Sequence, residues 1–387
     1  MKLLIISHTP HYLKEDKVVG WGSTIMEIDQ LASLFSEVVH LAPVHDGEAP
    51  QSSLPYQNPK VRLALVKPAG GERWLEKVSY LWRIPRWVSV IKKEIKIADA
   101  VHIRCPAGIS LVGLLVHSLF GKGKPCWVKY AGNWRPQTKD SLSYKLQRVL
   151  LKRNIHRGVV TVNGQWEGQP NHVVSFVNPS FSKSDWIMAQ TSIKDKKLTT
   201  PLELLFVGRV EEEKGVGRLI QIASVMNQLG IDFHVNVIGD GPKRSDYEKQ
   251  VSEKGIADCL SFIGWKSRFE LALYYKDAHF ILLPSTASEG WPKVLSEAMA
   301  YGVVPLASTV SSIPYFIKQA NSGKVIQADD FQAYVTEIID YLGHPKNWKQ
   351  ESQNAAIMAE KFTYENYLIA VKDLFEKNWN ISLRDSK

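Results

Sequence analysis

Twice along the chain, short apolar runs alternate with segments whose apolar residues recur three and four positions apart. Continuous apolar runs bounded by Gly, Pro or polar residues are the pattern of strands buried on both faces of a parallel sheet, and the intervening period is that of the crossover helices. The first series holds Leu3-Ser7, Val38-Ala42, Val61-Val66 with Arg62 as its one charged interruption, Ala100-Ile103, a strand within Pro125-Trp134, and Val173-Phe181. The second holds Leu202-Val207, Val235-Ile238, Leu260-Trp265, Phe280-Leu283 and Val303-Leu306. A chain of 387 residues is long for one core and comfortable for two. The expectation is an α/β protein of two Rossmann-like domains, residues 1–190 and 191–361, with the linker in the polar, Lys-rich Ser182-Thr200. Residues 362–387 follow as a terminal helix. In the first domain, Ile25 to Phe35 has helical spacing after a loop holding Gly20-Trp21-Gly22, and Leu142 to Asn154 reads as a basic helix.

Three isolated cysteines, Cys105, Cys126 and Cys259, favour a reducing compartment over a disulfide framework or structural zinc. Met1-Ile6 is too short in its apolar run for a signal sequence and reads as a first strand. The formal charge of +9 divides unevenly, +11 over residues 1–190 and −2 over the remainder. Such a first half attracts a polyanion or an anionic membrane surface. Between Trp74 and Ile97, Trp, Tyr and aliphatic residues interleave with Lys77, Arg83, Arg86, Lys92, Lys93 and Lys96, and Pro85 interrupts them. Two readings stand, an interfacial helix on anionic lipid or a core helix with a solvated basic face. His8, His11 and His40 have no metal-ligand spacing and are read as packing residues.

Ser288 to Gly302 carries the chemistry. The apolar run before it ends at Pro284, Gly290 permits close backbone approach, and Pro292 suits the first position of a helix. The N–H groups of Lys293, Val294 and Leu295 would then form a seat for phosphate at the carboxyl edge of the sheet. Glu289 and Glu297 flank that seat as acceptors for sugar hydroxyls. On the residues alone, Lys293 and Glu297 equally make a solvated pair four apart, and Glu289 a loop charge.

The pattern E-G-aromatic-P-x-V-x-x-E-A-M-A-x-G, complete here with Trp291 as its aromatic, resembles the signature of glycosyltransferase family 4, retaining nucleotide-sugar transferases of GT-B architecture. The resemblance spans the chain and is specific from Gly208 to Gly302. It implies two Rossmann-like domains with parallel sheets facing across a cleft, and a terminal helix crossing back to the first domain. Gly208-Arg209 followed by Lys214-Gly215 matches the family's diphosphate clamp, a fork beside a point charge. Gly22, Gly239, Gly264, Gly290, Trp291, Pro292, Lys293 and Val294 fall at donor-lining positions, with Glu289 on the donor sugar and Glu297 on the ribose. Asp99 and His102 resemble a strand-end motif of the first domain. Where many members place a His near the reacting sugar this chain has Gly132-Asn133, a departure that leaves His102, Asn133 and Arg135 as acceptor-side candidates.

The function so implied is sugar transfer with retention from a nucleoside diphosphate sugar to a hydroxyl acceptor, lipid-linked in cell-surface polysaccharide or glycolipid assembly. Glu289, Arg209 and Lys214 carry it, the nucleotide sugar is a co-substrate and not a cofactor, and no D-x-D run provides for a metal. The expected place is the cytoplasm, at the inner membrane face, with no nucleic-acid partner. Two alternatives remain open, a sugar-nucleotide epimerase of similar architecture and a non-catalytic donor- or polyanion-binding protein.

Overall fold

The computed structural model describes residues 1–69, 74–136, 141–287 and 289–383, the side chains of 74–81 excepted. The chain forms two compact units, Met1–Val177 with Tyr367–Lys387, and Asn178–Asn366. Each is built on a parallel sheet.

The first unit's sheet contains, in spatial order, Val173–Phe176, Val159–Asn163, Cys126–Tyr130, Ala100–Cys105, Lys2–Ile6, Glu37–Pro43 and Val61–Val66. Numbered by chain order, that is 3-2-1-4-5-6-7 read from the Val61 edge, so the order reverses between Lys2–Ile6 and Ala100–Cys105. Val159–Asn163, which the apolar pattern also supports, is an additional strand between two expected ones. The anticipated Gly20-Trp21-Gly22 loop is instead the end of a hairpin, His11–Lys14 with Lys17–Trp21. Its two-residue turn, Glu15-Asp16, has φ of 49° and 61°, as a turn matched to strand twist requires.

Helices Trp74–Ile97, Gly108–Phe120 and Leu142–Lys152 cover one sheet face through Trp87, Ile91, Ile95, Val112, Val116 and Leu151. On the other face, Ile28 and Leu31 of helix Gly22–Leu31 pack with Tyr367, Val371, Leu374 and Phe375. Residues 367–383 therefore complete the core of the first unit.

That core contains a charge cluster. The Glu27 carboxylate accepts from Lys129 Nζ at 2.6 Å, Arg104 Nη1 at 2.7 Å and the Tyr367 hydroxyl at 3.3 Å. Glu27 is 1% exposed, so the ions are out of water and hold one another's charge.

The second sheet orders Leu260–Gly264, Phe233–Ile238, Leu202–Val207, Phe280–Leu283, Val304–Ser308 and Lys324–Ile326, again 3-2-1-4-5-6 by chain order. Ser182-Thr200, expected as linker, is anchored in this unit. Helix Lys183–Gln190 starts at a reciprocal Ser182/Asp185 cap, and the Lys196 ammonium donates to the carbonyls of Tyr275 and Tyr301, each at 3.0 Å. The polarity of the segment is that of caps and buried donors, and the units divide earlier, after Val177.

Two predictions follow from the first core. Glu27→Ala leaves two buried cations without their carboxylate and should lower stability by about 3–5 kcal/mol in denaturant unfolding. His117 and His156 are buried, and burial holds their imidazoles down to about 4 and about 3. Folded they stay neutral, whereas unfolded they take up protons below about 6.5, so stability falls as pH drops through that window. Together they should remove about 3 kcal/mol between pH 6.5 and 5. In His156→Gln the acid loss measured by denaturant titration should be smaller than in wild type by about 1.5 kcal/mol.

Candidate functional site

The strand order of the second sheet reverses between Leu202–Val207 and Phe280–Leu283, which pair directly. In open α/β sheets the crevice for ligands lies outside the carboxyl ends of such a pair. The loops leaving these two strands are locked together here. The Glu213 carbonyl accepts from the Thr286 N–H at 2.8 Å, the Ala287 N–H at 3.0 Å and the Ser285 hydroxyl at 3.0 Å. Gly215 opens helix Val216–Gln228 at φ 93°, and a Cβ there would stand 2.2 Å from the Pro284 carbonyl oxygen. Only glycine lets the loops approach so closely.

This contact brings Lys214 against Glu289, the ammonium donating to Oε1. Lys214 is mostly buried. Burial and the Arg209 guanidinium hold its ammonium down to about 8, with Glu211 working the other way. The Glu289 carboxylate also favours the charged form. Arg209 extends into solvent and pairs with Glu211. A cation, a carboxylate and an exposed guanidinium thus converge at the reversal point of the sheet.

The three glycines at neighbouring strand exits are in register. The Gly208 N–H donates to Ile238 at 3.0 Å, and the Gly239 N–H donates to Gly264 at 3.0 Å. Gly239 has φ 134°, and a Cβ on it would fall 1.9 Å from the Gly208 oxygen. These glycines keep the sheet edge low and bare of side chains.

Helix Lys293–Ala300 begins one residue later than its sequence suggests. Pro292 is its N-cap, at φ −69° and ψ 116°, and the Pro292 carbonyl takes the Leu295 N–H at 3.1 Å. Of the three amides expected at a phosphate seat, that of Leu295 is therefore engaged within the turn, and Lys293 and Val294 open the helix. The Gly290 carbonyl accepts from both the Ser312 N–H at 3.2 Å and the Ser312 hydroxyl at 2.7 Å, which fixes the turn before the helix. Ser288 lies outside the described residues.

Trp291 is not placed to meet a ligand. Its ring is 3% exposed, stacked on Phe362 with centroids 5.1 Å apart and edge-on to Phe316 at 4.8 Å. The aromatic of the signature is an anchor that seats the turn in the core. Glu297 accepts from the Tyr275 hydroxyl at 3.2 Å, and burial raises its carboxyl while Arg268 and Lys293 oppose the rise. Tyr275 and Arg268, on helix Arg268–Asp277, escaped the sequence reading because nothing in their spacing links them to Glu297.

The remaining candidates belong to the first unit. Gly22 does not offer an amide, because its N–H donates to the Ser52 carbonyl at 3.0 Å and a Cβ would lie 2.4 Å from that oxygen. Its glycine is explained by packing. His102 is fully buried within its strand, 3.9 Å ring to ring from Trp127, with Nδ1 on the Trp127 carbonyl at 3.1 Å. Burial with Arg104 and Lys129 keeps it neutral, far below its usual range, so an acceptor-contacting role is replaced by a core one. Asn133 is buried and its Oδ1 accepts from the Arg135 N–H at 3.0 Å, while the exposed Arg135 side chain reaches the Glu167 carbonyl. Of these four, Arg135 presents its side chain to solvent.

Residues 189–358 match the family model described as glycosyl transferases group 1. The matched stretch takes in most of the second unit. The amylovoran biosynthesis glycosyltransferase AmsK of Erwinia amylovora is 33% identical over 141 residues, 35% of each chain. The putative colanic acid biosynthesis glycosyltransferase WcaL of Salmonella typhimurium is 31% identical over 147 residues, 36% of each. This chain spans about a third of the length of the curated relatives it matches. Among solved structures, the sucrose-phosphate synthase from Thermosynechococcus elongatus aligns over 97% of this chain and 98% of its own at TM-score 0.70 and 18% identity. Anabaena HepE in complex with UDP and glucose aligns over 97% and 100% at TM-score 0.68 and 15% identity. These likenesses give the fold, two Rossmann-like domains of GT-B type. In the second unit, the aromatic cluster of Trp291, Phe316 and Phe362 should govern stability. Trp291→Ala should therefore lower the melting temperature through a loss of about 3–5 kcal/mol. Trp291→Phe, which keeps an aromatic ring in the cluster, should retain most of that stability in the same melt.

Proposed function

We propose that the protein is a retaining glycosyltransferase of family 4 that moves a sugar, of hexosyl type, from a nucleoside diphosphate to a hydroxyl acceptor. The observation that carries this reading is the meeting of Lys214 and Glu289 at the reversal point of the second sheet. The Lys214 ammonium and the Arg209 guanidinium would neutralise the diphosphate as it leaves, together with the positive end of the helix opened by Lys293 and Val294. Glu289, released from Lys214 by the arriving phosphate, would accept the hydroxyls of the donor sugar. Glu297, already an acceptor for Tyr275, would accept those of the ribose. The bare edge at Gly208, Gly239 and Gly264 gives a nucleobase and pyrophosphate room to approach backbone.

Retention fits attack on the face from which the diphosphate departs, with a leaving phosphate oxygen taking the acceptor proton. Positioning is then the protein's main contribution. Charge neutralisation by side chains makes the transfer independent of a divalent ion. We assign acceptor recognition to the first unit and the acceptor to the lipid-linked intermediates of polysaccharide assembly, at the cytoplasmic face, in keeping with relatives named for amylovoran and colanic acid biosynthesis.

A panel of uridine, guanosine and adenosine diphosphate sugars, screened by thermal shift with and without EDTA, tests the reading. One base should stabilise the wild type under both conditions, and Lys214→Ala should weaken its dissociation constant by about 10- to 100-fold. With the donor so found, kcat/KM should fall above pH 8 as the Lys214 ammonium of the free protein loses its proton, and Lys214→Arg should remove that alkaline limb. If no nucleotide sugar stabilises the protein, transfer chemistry gives way to a non-catalytic polyanion-binding role. Inverted anomeric configuration in the product would overturn retention alone.

A further inference from the structure

The three helices on one face of the first unit turn an unusual surface outward. On Leu142–Lys152, Leu142 is 83% exposed, Leu146 47% and Val149 44%. Positions 142, 146 and 149 form a single stripe on a helix. The opposite side of that helix is spent on the core, where Gln147, Arg148 and Leu151 are buried. On the adjoining helices, Leu119 is 73% exposed and Trp82 81%. The side chains of Trp74 to Leu81, part of the expected interfacial helix, lie outside the described residues.

Among the described residues of these three helices, the exposed charges have one sign. Over residues 82–97, 108–124 and 141–153, Lys and Arg outnumber Asp and Glu eleven to one, with Arg148 buried on the Tyr130 hydroxyl and Lys124 turned onto the Ile95 and Lys96 carbonyls. The one acid, Glu94, is buried and bonded to Arg62 at 2.7 Å. Lys93, Lys96, Lys145, Lys152 and Arg153 are exposed. Where helix Gly108–Phe120 ends, the Lys92 ammonium lies 4.2 Å from the Phe120 ring centroid. Among the described residues no helix is long and apolar enough to cross a membrane.

We propose that this face docks on an anionic lipid bilayer, with Leu142, Leu146, Val149, Leu119 and Trp82 entering the boundary of headgroups and acyl chains. The surrounding cations lie on lipid phosphates. The combination selects its occupant. A nucleic acid would use the cations and leave the leucines in water. A second copy of the chain would set two strongly positive faces against each other. A bilayer of anionic lipid satisfies both components, since apolar area and charge attraction act together in interfacial binding. The proposal stands on this surface alone and does not depend on the sugar-transfer reading.

Flotation of the full chain with vesicles provides the test. Binding to phosphatidylcholine containing one-third phosphatidylglycerol should exceed binding to phosphatidylcholine alone by about tenfold or more and should decline with salt. The triple variant Leu142→Ser, Leu146→Ser, Val149→Ser should lose about tenfold of that binding with its thermal melt unchanged. Should that variant fail to fold, quenching by brominated lipid, larger in wild type than in Trp82→Phe, reports insertion in the intact protein. Absence of vesicle binding, equal binding by wild type and the folded triple variant, or a wild-type dimer that the variant converts to monomer would each overturn the proposal.

Discussion

One carbonyl oxygen organises the candidate site. Glu213 takes three donors from the Ser285-Ala287 turn, and this ties together two loops that leave adjacent strands at the point where the sheet order reverses. Everything chemical follows from that junction. Lys214 comes next in the chain and therefore reaches across to Glu289, while Gly215 has to be glycine because the same junction brings the Pro284 carbonyl against its Cα. A sequence motif split over 75 residues becomes one site because backbone, and not the charged side chains themselves, sets the distance.

The two units place charge at corresponding points of their sheets and treat it differently. In the first, Glu27, Arg104 and Lys129 meet near the reversal in strand order and are sealed from water by the returning helix with Tyr367. In the second, Lys214 and Glu289 remain partly open, and Arg209 is largely solvated. A sealed cluster holds structure, because its ions have nowhere else to place their charge. An open one can exchange its internal partner for a ligand's phosphate.

Most strands of both sheets were legible because a parallel strand buried on two faces has little choice but a continuous apolar run. Leu202–Val207 and Phe280–Leu283 announce themselves in this way, whereas Val159–Asn163, interrupted by Thr161, and the three-residue edge strand Lys324–Ile326 were not read. The hairpin at His11–Trp21 was hidden, since its register depends on a turn of two non-glycine residues, Glu15 and Asp16, that carries no standard turn signature. Within the site, the pairing of Lys214 with Glu289 matches residues the motif singles out. What a motif cannot convey is which way a side chain points. Trp291 occupies a signature position and turns into the core, His102 sits at a strand end by pattern and deep in the sheet by pleat, and Gly22 is small to admit Ser52. Tyr275 reaches Glu297 from another helix, a contact set by tertiary packing alone.

Because Tyr367, Val371, Leu374 and Phe375 lie in the same core as Leu3 and Ile5, the first unit is discontinuous in the chain and the second is inserted within it. During synthesis the second unit has all of its residues available once Asn366 has emerged, whereas the first must wait for the final helix. The N-terminal half is thus the later one to close, and until then Glu27 lacks its tyrosine and one face of the sheet lacks its cover. Chains cut before Tyr367 would retain a finished second unit and an unfinished first one. The burden of quality control falls on the part of the chain made first.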